Sequence, residues 1–267
     1  MSVLRLVLLP CLIMLLSRTV MAEKVELMIG LTTSGGGHYF VDLLEQSLKA
    51  QGYDVSLRVI EELPQSRVVY MVTHGDLSLT WLLQTKERDE SLVPVHVGLT
   101  NGLIGHRVLL IPPEAQSLYD QVNSLADFRT LGKVGVFGKD WFDVKVWKYN
   151  QLKYFEREGS WEKAYKQVAS GNRGVDYFSR GIFEVVEEAD QHPYLKIEEH
   201  LLFVYDRDFL FYLSSSAAHY KQIIEESLIA ARDSGLMQAL INKHWETSFD
   251  RLALDKRVRL NLNTPSD

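Results

Sequence analysis

Val25-Glu-Leu-Met-Ile-Gly-Leu31 is an apolar run of strand length, and the loop Thr32-Thr-Ser-Gly-Gly-Gly37 closes it. Phe40, Leu43, Leu44 and Leu48 follow at the spacing that places them on one helical face, and Gly52 stops that helix. Residues 53–60 alternate and are rich in β-formers, which predicts a second strand. A helix over 65–72 then leads into the strand Leu77-Ser-Leu-Thr-Trp81. Strand–helix–strand–helix–strand is the order of a parallel sheet covered by helices.

The alternation restarts near Arg107. Arg107-Val-Leu-Leu-Ile111 and Lys133-Val-Gly-Val-Phe137 read as strands, separated by the turn Pro112-Pro113 and a short helix over 124–128. A helix from about Val144, another over 161–170 ended by Gly171, and the strand Val175-Asp-Tyr-Phe178 continue the second unit. Residues 201–205 and 209–213 read as returning strands. The tail is helical: Tyr220, Ile223, Ile224 and Leu228 share one face, Gly235 stops the helix, and a further helix covers 236–245. From Asn261 onward the chain is expected to fray. No repeat or low-complexity segment interrupts this order, so two α/β units with a returning helical tail are expected, set around a cleft.

The amino terminus carries a different signal. Arg5 precedes the apolar run Leu6–Leu16, and Val20-Met-Ala22 offers the compact residues that a signal peptidase reads. Eleven apolar residues closed by Ser17-Arg18 are too few to span a bilayer, which takes about 20. The only cysteine, Cys11, lies within that run after Pro10, which argues against lipidation and leaves the exported chain without thiols or disulfides. Without Arg5 and Arg18 the chain keeps 27 basic residues against 35 acids, a formal charge of −8. An acidic chain is not a nucleic-acid binder. The eight histidines show no metal-ligand spacing, there is no GxSxG element, and no metal or cofactor is expected.

Three elements in order carry a family resemblance. They are Val122-Asn-Ser-Leu-Ala-Asp-Phe-Arg129 with Gly132-Lys-Val-Gly-Val136, then Gly171-Asn-Arg-Gly-Val-Asp176, and Asp233-Ser-Gly235 through Lys243-His-Trp245. In these the chain resembles the family 3 extracellular solute-binding proteins, the periplasmic components of amino-acid uptake. The resemblance implies a two-lobed type II periplasmic-binding-protein-like α/β fold with a ligand cleft between lobes. Its divisions would be a signal peptide at 1–22, the first lobe at 23–101, the second at 102–213, and helices returning to the first lobe at 214–267. A narrower resemblance, to an uncharacterised subgroup, rests on Trp81, Gly102-Leu-Ile-Gly-His-Arg107, Asp140-Trp141 and Phe178-Ser-Arg-Gly181.

The resemblance also suggests ligand contacts. Thr85-Lys-Glu-Arg88 is similar to the family's Thr-x-x-Arg element, whose arginine grips a carboxylate, so Arg88 inherits that role. The family's acid for the ligand amino group falls at Gly181, and Arg180 and Ile182 beside it are not acids. The usual aromatic ligand loop after the first strand is replaced by Ser34-Gly-Gly-Gly-His38.

Each candidate has a plainer reading. Arg88 follows a strand end, where α/β sheets bind ligands, or it pairs with Glu87, Asp89 or Glu90 on the surface. Arg180 enters the cleft from the second lobe, or it is satisfied by Glu184 or Glu187. Lys139, Asp140 and Trp141 join a strand to a helix whose amides face an anion, or they only cap the helix and close the lobe. Trp81 is an aromatic wall or core. These residues are expected to capture a small polar, anionic solute, since two arginines facing one cleft call for an anion. The closed protein would then serve an inner-membrane ABC permease or a sensor. The competing readings are a periplasmic cyclic-acid dehydratase-like enzyme using Asp140 or Glu87, and an interaction protein without a ligand. Export predicts cleavage after Ala22: the intact mass of the periplasmic protein begins at Glu23, whereas an uncleaved cytoplasmic product refutes it.

Overall fold

The computed structural model describes residues 23–32 and 37–265. The segment 1–22 read as a signal, and residues 33–36 of the glycine-rich loop, lie outside the described residues. Strand β1 (Lys24–Thr32) turns Val25, Leu27 and Ile29 into one core and Met28 toward another. Both its faces are therefore covered, as a parallel sheet requires. The helix Gly37–Ala50 presses Tyr39, Phe40, Leu43, Leu44 and Leu48 against the first of these cores, the face its spacing predicts.

The remaining strands are β2 (Asp54–Leu63), β3 (Leu79–Leu83), β4 (Val93–Pro94), β5 (His106–Ile111), β6 (Val134–Gly138), β7 (Lys153–Arg157) and β8 (Tyr177–Gly181). They are followed by β9 (Lys196–Ile197), β10 (Leu201–Val204), β11 (Phe209–Leu213) and β12 (Val258–Asn261). They form two sheets, ordered β2-β1-β3-β11-β4 and β7-β6-β8-β5-β10-β12, with β9 beside β5. In the second sheet Val108, Leu110, Val136 and Phe178 enter one core while Leu109, Ile111, Phe137 and Tyr177 enter the other, the two-residue period of strands covered on both faces.

The two sheets share a plan. Each has three parallel strands in the order second, first, third, then an antiparallel strand that has just crossed from the other lobe. That strand is β11 against β3 in the first lobe and β5 against β8 in the second. Because it runs antiparallel, its first residues lie beside the last residues of its neighbour: Phe209 opposite Leu83, and Arg107 opposite Gly181. The carboxyl ends of both sets of parallel strands thus adjoin the crossings, and these edges form the cleft side of each lobe.

Two of the expected divisions are corrected. The strand Phe209–Leu213, expected in the second lobe, pairs with β3 and β4 in the first. The tail does pack Ile224, Leu228, Met237, Ile241 and Trp245 on the first-lobe core. After helix Leu236–Leu252, however, the chain crosses a third time and adds β12 to the second sheet, parallel to β10. The expected fraying from Asn261 is also corrected. Leu262 N–H donates to the Val204 carbonyl at 2.7 Å, and Asn263 N–H to Asn150 Oδ1 at 2.9 Å. The ends are held because Leu260 and Leu262 are buried.

The first two crossings are joined by one side chain. Asp208 accepts from Thr100 N–H (3.1 Å), the Thr100 hydroxyl (2.7 Å), Gly102 N–H (2.8 Å) and Phe209 N–H (2.8 Å). Burial raises its carboxyl above the ordinary range, against the pull of those hydrogen bonds. Beside it, Tyr205 N–H donates to the Gly105 carbonyl, and a Cβ at Gly105 would come within 1.8 Å of the Tyr205 carbonyl oxygen, so only glycine fits. The third crossing is held by buried Arg257, which donates to the carbonyls of Leu252, Glu198 and Leu201. Asp208→Ala strands three backbone donors and a hydroxyl, and urea unfolding is expected to show a loss of about 3 kcal/mol. A loss below about 0.5 kcal/mol, the range of an ordinary surface change, refutes the staple.

Candidate functional site

The cleft side of the second lobe is built from the carboxyl ends of β6 and β8 and the start of β5. A cluster of five charged side chains lies there. Arg107 Nε meets Asp143 Oδ1 at 2.9 Å and donates to the Tyr205 hydroxyl at 3.0 Å, and that hydroxyl donates to Asp143. Arg180 meets Glu188 through Nε (2.7 Å) and Nη2 (2.5 Å), a two-pronged pair. Glu184 lies between them, its Oε1 at 3.2 Å from Arg180 Nη2 and 3.6 Å from Arg107 Nη1. Around Arg180, the rings of Trp161, Phe178 and Trp141 lie 4.9, 5.0 and 5.2 Å from the guanidinium carbon. The arginine is thus boxed by aromatic faces as well as by carboxylates.

Two guanidiniums face three carboxylates, so the cluster carries one net negative charge. Asp143, Arg107, Arg180 and Glu188 are 9–13% exposed, whereas the Glu184 side chain is 42% exposed. Glu184 is thus the most exposed side chain of the cluster. Burial raises the Glu184 carboxyl, but Arg180 and Arg107 outweigh it and hold it below the ordinary range. Burial likewise works against charge on Arg180, and Glu184 and Glu188 overcome it and keep the guanidinium protonated.

Glu184 folds back on the end of β8. Its Oε1 accepts from Gly181 N–H at 3.3 Å. A Cβ at Gly181 would lie 2.6 Å from Arg107 Nη1 and 3.0 Å from that oxygen, so both side chains crowd the space beside the glycine. The sequence has no acid at 180–182.

The first lobe offers a different charge. Thr85 is an N-cap, its hydroxyl accepting from Arg88 N–H at 3.3 Å at the start of helix Lys86–Ser91. The Arg88 guanidinium bends back to the Leu83 carbonyl at the end of β3. It makes no ion pair with Glu87, Asp89 or Glu90; Asp89 instead accepts from Gln84 and Tyr212. Trp81 is half-buried and stacks on Phe40 at 4.7 Å and 16°, so it belongs to the first-lobe core.

Of the other predicted residues, only Trp141 joins the cluster around Arg180. Lys139 pairs with Glu158 on the surface at 2.9 Å, and Asp140 is an exposed turn residue in the left-handed region (φ 63°). Trp141 stacks on Phe178 at 6.0 Å, with Trp161 at 5.6 Å. The expectation of two open guanidiniums facing one cleft is corrected, because Arg180 is matched within its own lobe by Glu184 and Glu188. Sequence reasoning missed Arg107, Asp143, Glu188, Trp161 and Tyr205. Only Glu184 had a legible signal, four residues after Arg180 at the start of a helix. One second-lobe residue just past β8 also reaches the first lobe: the Phe183 ring lies 4.1 Å from that of Trp245.

Removing one member of such a cluster strands the rest. Arg180→Ala is expected to lower unfolding stability by about 3 kcal/mol, with part of the loss recovered when Glu188→Leu is added. A single variant as stable as the wild type in urea would refute the cluster's structural role.

No family model matches the sequence, and no curated protein matches it. Solved structures do. A probable amino-acid ABC transporter extracellular-binding protein of Bacillus subtilis superposes with a TM-score of 0.61 at 13% identity, covering 83% of this chain and 97% of that one. An amino-acid ABC transporter substrate-binding protein of Streptococcus pneumoniae, bound to L-arginine, gives 0.54 at 12%, over 82% and 93%. An ancestral arginine-binding protein bound to arginine gives 0.52 at 14%, over 82% and 98%. At such identities the likeness is one of fold. Two sheets of one plan, joined by crossings at their cleft edges, give this chain the two-lobed type II periplasmic-binding-protein fold of the extracellular solute-binding proteins.

Proposed function

We propose that this protein is a periplasmic solute-binding protein that closes its lobes on a small polar solute bearing both a cationic and an anionic group. The observation that carries the reading is the carboxylate of Glu184, exposed at the cleft edge beside Gly181. It would take the cationic group of the solute. Arg88, at the end of β3 and without an acidic partner among the described residues, would take the anionic group. This replaces the purely anionic solute expected from the sequence, because the second lobe presents a net negative charge rather than an open arginine. Of the fold's neighbours named above, two are binding proteins of amino-acid ABC transporters and two are bound to arginine, and a zwitterion of that class suits the same pair of charges. Delivery to an inner-membrane ABC permease, or presentation to a sensor, would follow closure.

The enzyme reading draws no comparable support, since Glu87 and Asp140 are both exposed rather than enclosed near reacting groups. Mass spectrometry of gently purified protein identifies the retained solute, and calorimetry then measures it against variants. Glu184→Gln and Arg88→Ala are each expected to weaken binding about 30-fold, the roughly 2 kcal/mol lost with one partner of a desolvated charge pair. A retained solute without a cationic group, bound equally by Glu184→Gln, overturns the reading; a solute recovered as a converted product makes the protein an enzyme.

A further inference from the structure

The third crossing between the lobes differs from the first two in being led by a long helix. Helix Leu236–Leu252 buries Met237, Leu240, Ile241 and Trp245 in the first-lobe core and Leu252 in the second-lobe core. Trp245 and Leu252 are seven residues apart, roughly 10 Å along the axis. No Pro or Gly interrupts the helix, so it lacks the usual causes of a kink. It is one stiff rod with its two ends set in different cores.

Both ends are bonded as well as buried. In the first lobe Asp42 meets Lys243 Nζ at 3.1 Å and His244 Nε2 at 2.9 Å, which joins the rod to helix Gly37–Ala50. At the other end Arg257 donates to the Leu252 carbonyl at 2.7 Å and to the Leu201 carbonyl at 3.0 Å, which ties the last turn to β10. Arg251 meets Asp190 of helix Val185–Gln191 at 2.6 Å. That pair is exposed and adds little strength, but it sets the last turn against the second lobe.

Between the two anchors the second lobe reaches back to the rod. The ring of Phe183, two residues past β8, lies 4.1 Å from that of Trp245 and 6.0 Å from that of Phe249. Phe183, Phe249 and Leu103 of the first crossing each pack against both cores, so the cores meet in one apolar junction beside the helix. Turning one lobe on the other has to slide Phe183 off Trp245 or draw one end of the rod out of its core. Either change exposes apolar surface and is unfavourable. We propose that helix Leu236–Leu252 is a strut that sets the angle between the lobes, with Phe183 as the residue that keys the second lobe to it. The strut acts whatever occupies the cleft, so this inference does not rest on the solute proposed above.

The test measures the angle directly, as the distance between nitroxide labels on the two lobes. Past residue 22 the chain has no cysteine, so Ala50→Cys and Lys166→Cys, exposed and in different lobes, are the only labelling sites in the exported protein. Double electron–electron resonance is recorded after exhaustive dialysis, with no ligand added. Glu246→Gly with Thr247→Gly, at exposed positions between Trp245 and Leu252, puts a flexible joint in the rod without touching either core; Glu246→Ala with Thr247→Ala keeps it helical. The glycine pair and Phe183→Ala are each expected to at least double the width of the distance distribution, and the alanine pair to leave it unchanged. A distribution as narrow as the parent's in the glycine pair or in Phe183→Ala overturns the proposal. So does an alanine pair as broad as the glycine pair, which would trace the effect to the lost side chains rather than to the rod. If the glycine pair fails to fold, Phe183→Ala decides alone by the same criterion.

Discussion

The carboxylate of Asp208 takes hydrogen bonds from Thr100, Gly102 and Phe209, so two chain segments running in opposite directions between the lobes are fixed to each other. Everything on the cleft edges inherits its position from that join. β5 and β11 each start at a crossing, and each runs antiparallel against the third parallel strand of its sheet. Were the crossings free to slide, Arg107 would leave Gly181 and Phe209 would leave Leu83, and the cleft faces would lose their registration. Gly105 reinforces the join sterically, because the Tyr205 carbonyl occupies the volume a β-carbon needs. Asn101 and Gly102, both at positive φ, make the tight turn that brings their neighbours within reach of one carboxylate.

The charged cluster of the second lobe follows from this geometry. In the pairing of β5 with β8, Arg107 lies opposite Gly181 and Arg180 opposite Val108, so the two side chains start from opposite faces of the sheet and Glu184 at its end touches both. Each guanidinium, with little solvent, requires counter-charges from elsewhere. The helix Phe142–Tyr149 supplies Asp143, and the turn into helix Val185–Gln191, with its first turn, supplies Glu184 and Glu188. The aromatic box of Trp141, Trp161 and Phe178 then excludes water from Arg180 and strengthens each pair within it.

Hydrophobic patterning made β1, β2, β3, β5, β6, β8, β10 and β11 legible, though not β4, β7 or β9, because the apolar run of β1 or the helical spacing of Phe40, Leu43, Leu44 and Leu48 is a local property of the chain. The lobe assignment of 209–213 was not local. Tyr205-Asp-Arg-Asp-Phe209 is a short polar break between two apolar runs, and nothing nearby distinguishes a hairpin from a crossing to another sheet. The final strand was hidden for a similar reason, since Val258-Arg-Leu-Asn261 is short and half polar and is ordered by its pairing with β10. At the candidate site the Thr85-Lys-Glu-Arg88 element was readable from its resemblance, and the spacing of Arg180 and Glu184 from its place at a helix start. That Glu184 folds back beside Gly181 was not, because it depends on where Arg107 arrives from another strand.

The cluster's connectivity decides which of its members is able to respond to a solute. Arg107 keeps Asp143 and the Tyr205 hydroxyl even if Glu184 turns away, and Arg180 keeps both prongs of Glu188. Glu184 is thus the one carboxylate whose rotation leaves no buried guanidinium unpaired. It is also the one most open to solvent. Asp143 and Glu188 have neither property: each is nearly enclosed, and removing either strands an arginine in a water-poor site. On the proposed reading, a cationic group entering the cleft recruits Glu184 at the cost of two longer, solvent-screened contacts of 3.2 and 3.6 Å, while the short pairs that hold β5 against β8 stay intact. On that reading the fixed part of the cluster would keep the lobe rigid while Glu184 adapts, so capture would proceed without disturbing the crossings beside it.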